Sequence, residues 1–106
     1  MNRLYVLTRN DLGIAYQAVQ GAHAVAQFCV DHPNHEWNNG YLIFLEVDDL
    51  YELKKWEYKL KDRNGIEMSW FYEPDLSNEM TAIAVYGSGY VFRNLQVMSE
   101  KEVESE

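Results

Sequence analysis

The chain has 106 residues, 47% of them apolar and 14% aromatic, which suits one domain around one core and excludes a largely disordered chain. Its net charge of −8 argues against strong nonspecific nucleic-acid binding, because phosphate must be neutralised by Lys and Arg. The lone Cys29 excludes an internal disulfide, and no apolar run approaches the roughly 20 residues of a membrane span, so no membrane partner is expected and the chain reads as cytoplasmic.

Leu4-Tyr5-Val6-Leu7-Thr8 is a short β-rich run that predicts a buried strand, ended by the turn chemistry of Arg9-Asn10-Asp11-Leu12-Gly13. Residues 16–31 then predict a helix that Pro33 stops. At about 100° per residue, Tyr16, Gln20, His23 and Gln27 share one stripe of it. Ala18, Val19, Ala22, Val25, Ala26 and Cys29 form the opposite, small and apolar stripe. That stripe is expected to pack closely on a sheet, with Cys29 buried, leaving the histidine held between two carboxamides.

Residues 41–47 predict a second buried strand. Asp49, with Glu52 three residues on, signals the start of a second helix whose apolar face is Leu50, Leu53, Trp56 and Leu60. Its other face carries Lys54, Lys55, Lys59, Lys61 and Arg63, either a solvated face interleaved with Glu52 and Glu57 or a phosphate-binding stripe. Asn64-Gly65 is the expected stop. Residues 66–72 predict a third strand and 73–79 a loop. Residues 81–86, almost wholly apolar, predict a central strand covered on both faces. Residues 91–97 suggest a short closing helix. The order argues for an α/β domain over 1–98 with a small mixed sheet of about four strands between helices, followed by an acidic, frayed tail over 99–106 that carries −3 of the net charge.

The helix motif is the main chemical signal. Imidazole, with a pKa near about 6.5, can take a proton at neutral pH, and ester hydrolysis needs an activated water and a stabilised oxyanion. Arg9, beside a helix start, is either a phosphate clamp or half of an ion pair with Asp11 or Glu73. His32, His35 and Glu36 are poorly set for a metal because Pro33 interrupts any helical spacing, so no metal is expected. Trp37, Tyr41, Trp70, Phe71 and Tyr72 read mostly as core, with a share available to line a binding surface or a homodimer contact. No phosphate loop, dinucleotide fingerprint, nucleophile elbow or zinc-finger spacing is present.

The strand followed by Arg9-Asn10-Asp11-Leu12, and then Gln20-Gly21-Ala22-His23-Ala24 on the first helix, resembles the type II peptidyl-tRNA hydrolases, in a divergent form like small bacterial and phage proteins. The similarity spans residues 3–87. Ala15-Tyr16 stands where that family has Gly-Lys, and Glu73-Pro74-Asp75-Leu76-Ser77 stands for its Asp-x-Gly-Leu-Thr loop. The resemblance implies a three-layer α/β/α fold and cleavage of the ester of peptidyl-tRNA or a related acyl-tRNA, with no cofactor. It implies His23 as base or water-orienting group, Gln20 as donor to the carbonyl oxygen, and Glu73 or Asp75 as the carboxylate that fixes the imidazole. Arg9, Asp11, Tyr16, Gln27, Ser77 and Thr81 would contact substrate. The alternative on the same scaffold is a non-catalytic module that binds a protein or a nucleotide-like ligand.

Overall fold

A computed structural model describes residues 1–63 and 65–101; Asn64 and the tail over 102–106 lie outside the described residues. The chain forms one five-stranded mixed sheet and two α-helices. The elements are β1 (Arg3–Arg9), α1 (Ile14–Asp31), β2 (Leu42–Val47), α2 (Leu50–Lys61), β3 (Glu67–Glu73), β4 (Glu79–Gly87) and β5 (Gln96–Val97). Across the sheet the order is β3-β4-β1-β2-β5. The β1–β2 pair is parallel and all other pairs are antiparallel. No helix among the described residues is long and apolar enough to cross a membrane.

Alternation along the central strands sends side chains to two separate cores. Leu4 and Val6 of β1 pack with Ala82 and Ala84 of β4 under Ala24 and Phe28 of α1. Tyr5 and Leu7 pack with Ile83 and Val85 under Leu53 and Leu60 of α2 and Phe92. The sheet is therefore sandwiched, α1 on one face and α2 on the other.

Two expectations need correction here. The sheet has five strands rather than four. The segment 91–97 is not a helix: a 3-10 turn covers Gly89–Phe92, Phe92 enters the α2-side core, and the chain then pairs with β2 through Leu45–Val97 and Glu46–Gln96. Two residues of pairing are too few to leave a period-2 pattern in the sequence.

The orientation of α1 is a third correction. Its buried residues are Gln17, Gln20, Gly21, Ala24 and Phe28, whereas Val19, Ala22, Ala26 and Cys29 face solvent. The close approach to the sheet occurs at Gly21, where a Cβ would overlap the ring edge of Phe44. The helix turned this way because two glutamines find buried partners that the alanine stripe could not offer. Gln17 Nε2 donates to Thr8 Oγ1 at 2.8 Å, and Thr8 in turn donates to the Leu45 carbonyl at 2.8 Å.

At α2 the expected cap is present, with Asp49 Oδ1 accepting from the Glu52 N–H at 2.9 Å. Asp49→Ala is expected to cost about 1 kcal/mol in urea unfolding, while Asp49→Asn, which keeps an acceptor, retains most of the stability.

Candidate functional site

The register of α1 on β3 sets the site. The two run side by side, and inward-facing residues of β3 meet α1 in sequence: Ser69 donates to Asp31 at 2.7 Å, Phe71 stacks on His23, and Glu73 accepts from Gln20. Glu73 is the last residue of β3, where the chain leaves the sheet into a 3-10 turn over Pro74–Leu76.

Gln20 is fully buried and holds the arrangement together. Its Nε2 donates to Glu73 Oε1 at 2.9 Å, and its Oε1 accepts from Thr81 Oγ1 at 2.6 Å. A carboxylate can only accept, so the amide orientation follows from its neighbours. Thr81 reaches Gln20 because β4 carries one extra residue there. Phe71 pairs with Ala82 and Tyr72 with Met80, leaving Thr81 in a bulge that turns its hydroxyl toward α1.

His23 lies one turn on from Gln20, exposed, its ring parallel to that of Phe71 at 4.4 Å. The Tyr16 hydroxyl is beside Glu73 from the preceding turn of α1. The hydrogen bond from Gln20, then that from the Asp75 N–H, hold the Glu73 carboxyl below the usual range, with Tyr16 and His23 adding to the effect and burial opposing it. Burial, followed by the negative charge of Glu73, pushes the Tyr16 hydroxyl upward, so it stays protonated at neutral pH. The site thus combines an ionised carboxylate, an accessible imidazole and a phenol donor.

The other sequence-derived candidates fall as follows. Asp75 is exposed on the turn after Glu73, and its backbone rather than its side chain bonds that carboxylate. Thr81 is fully buried, so its hydroxyl positions Gln20 and does not face a substrate. Gln20 likewise spends both ends of its amide inside, which makes it a positioning residue for Glu73 rather than a donor to a carbonyl oxygen. Gln27 is bonded to Asp31 at 2.8 Å on the helix surface, away from Glu73. Ser77 is exposed with a left-handed backbone, φ +53°. Arg9 is 6% exposed and fully engaged: two bonds to Asp11 at 3.0 and 2.8 Å, one to Glu79 at 2.8 Å and one to the Met80 carbonyl at 3.2 Å. Those carboxylates, Asp11 foremost, keep the Arg9 guanidinium above its already high ordinary value. The structure therefore brings Tyr16, Gln20, His23, Glu73 and Thr81 together, leaves Arg9, Asp11 and Gln27 in separate contacts, and leaves the Asp75 and Ser77 side chains exposed. Phe71, one of the aromatics read from the sequence as mostly core with a share available to line a binding surface, is the stacking partner of His23 on the strand face it shares with Glu73.

No family model and no curated protein matches the sequence. Among solved structures, the chain is similar to a protein of unknown function from Agrobacterium tumefaciens strain C58, with a TM-score of 0.66 at 13% identity, over 92% of this chain and 98% of that one. That likeness is one of fold.

Because its native carboxyl titrates below the unfolded value of about 4.3, Glu73 contributes stability that is complete above that pH and fades as the native group is protonated. Urea midpoints measured from pH 6 down to pH 3 are expected to fall further for the wild type than for Glu73→Gln. Parallel profiles would contradict this assignment.

Proposed function

We propose that the chain hydrolyses the ester of a peptidyl-tRNA or related acyl-tRNA, on a scaffold of the type II peptidyl-tRNA hydrolase kind. The observation that carries this reading is the convergence of Tyr16, Gln20 and His23 from one helix on Glu73 at the end of a strand. Active sites of open α/β sheets gather at such strand ends.

In this reading His23 removes a proton from the attacking water. The ionised Glu73, fixed by Gln20, stabilises the imidazolium that forms. Tyr16, at the position of the family's lysine, donates its O–H to the oxygen that becomes negative in the tetrahedral intermediate. Stacking on Phe71 restricts the imidazole ring. No metal or organic cofactor has a part. The acidic body would meet RNA through the basic stripe that Lys54, Lys55, Lys59 and Lys61 form on α2 and Arg63 continues just past its end, together five of the nine Lys and Arg residues.

A second reading, a non-catalytic module on the same scaffold that binds a protein, is favoured by Arg9. That side chain is committed to Asp11 and Glu79 and offers no grip on phosphate.

Release of the acyl group from N-acetyl-aminoacyl-tRNA by the purified chain separates the two. His23→Ala is expected to lower the rate by about 10²–10⁴-fold, and Tyr16→Phe by about a hundredfold. If the wild type neither turns over nor binds tRNA at low salt, the hydrolase reading is lost.

A further inference from the structure

A cleft of about 630 Å³ opens at the end of the sheet where β3 begins and β4 finishes. Six rises along β3 separate Glu67 on its wall from Glu73, which puts it roughly 20 Å from the His23 site. Its walls are the last turn of α2 with the residues just after it, the first residues of β3, the segment 85–93, and Asn2 and Glu36. That segment is held firmly against the sheet: Gly89 lies so close to Tyr5 that a Cβ would overlap the Tyr5 hydroxyl.

The charges on these walls are unequal in availability. The two acids are engaged within the chain. Glu67 accepts from His35 at 2.9 Å and lies 3.7 Å from His32, and Glu36 sits beside the Tyr86 hydroxyl. His35 Nδ1 accepts the Trp37 N–H, so Nε2 carries the proton given to Glu67. The cations are Lys59, Arg63 and Arg93. Among the described residues none of them has a carboxylate within 4.0 Å. Lys59 rests on the Trp56 ring, and the Arg93 guanidinium lies 4.3 Å over the ring of Tyr90, which is 73% exposed. Three cations without a carboxylate partner among the described residues thus line one cleft of a protein with net charge −8; Arg93 also donates to the Tyr90 carbonyl at 3.0 Å and covers one face of that exposed ring, which leaves its other face open.

The geometry points to a nucleoside diphosphate as the occupant of this cleft, its phosphates held by Lys59, Arg63 and Arg93 and its base stacked at Tyr90. The volume is in the range of small-ligand sites. Guanidinium groups match phosphate oxygens in pairs, and aromatic rings take any base face. The site shares no residue with the His23 cluster, although Lys59 and Arg63 also belong to the basic stripe proposed to meet RNA, so it is tested by ligand binding alone and not by esterase activity.

Isothermal titration of the full chain with ADP, pyrophosphate and adenosine tests it. ADP is expected to bind at one site, more tightly than pyrophosphate, and adenosine more weakly than either. Arg63→Ala and Lys59→Ala, both at exposed positions, should each weaken ADP about tenfold, a loss of about 1.4 kcal/mol per site contact. Tyr90→Ala should weaken ADP by a similar factor and leave pyrophosphate unchanged. His23→Ala should bind ADP as the wild type does. Absence of ADP binding, or binding indifferent to Arg63 and Lys59, overturns the site. Pyrophosphate binding as tightly as ADP overturns the nucleoside assignment.

Discussion

The buried carboxamide of Gln20 is the constraint on which the rest of this molecule turns. A primary amide taken out of water is costly unless its polar atoms are satisfied, and here both ends are: Glu73 below and Thr81 beside it. The triad draws on a helix, an edge strand and a central strand. Rotating α1 by one residue would break it at once, which fixes the helix register more sharply than the small apolar contacts around it. The β4 bulge belongs to the same device, since without the extra residue the Thr81 hydroxyl would point to the α2 side.

From that joint the chemistry follows. Holding Glu73 from inside leaves its outer side to Tyr16 and His23, so a buried polar network supports a phenol and an accessible imidazole beside one carboxylate. The same polar seam continues along β3 through Asp31 with Ser69 and ends where His32 and His35 meet Glu67. Polar contacts thus join α1 and the segment just after it to the edge strand at Glu73, Ser69 and Glu67, with the apolar packing concentrated nearer the sheet centre. One end of the seam exposes an imidazole beside an ionised carboxylate. The other satisfies its acids internally and leaves cations facing a cleft.

Much of the fold was legible because hydrophobic runs and capping chemistry are local. The strands at 4–8, 41–47 and 81–86 and the Asp49 cap of α2 lie close to where the sequence placed them. The face of α1 was not legible. A count of apolar residues favours the alanine and valine stripe, but glutamine can be buried when partners exist, and those partners sit 53 and 61 residues away. The bulge at Thr81 and the two-residue β5 are single-residue events in pairing that leave no periodic trace. At the site, the meeting of Gln20, His23 and Glu73 was anticipated from motif spacing and resemblance. The internal commitments of Arg9 and Thr81 depend on Glu79, Met80 and the bulge, which only the folded chain brings together.

The central claim is that Gln20 and Thr81 act as one unit. A double-mutant cycle of Gln20→Leu and Thr81→Val, read by urea unfolding, measures their coupling directly. Removing either partner strands a buried polar atom, whereas removing both relieves that penalty, so a coupling of about 1 kcal/mol or more is expected. Losses that add to within about 0.3 kcal/mol would contradict the account.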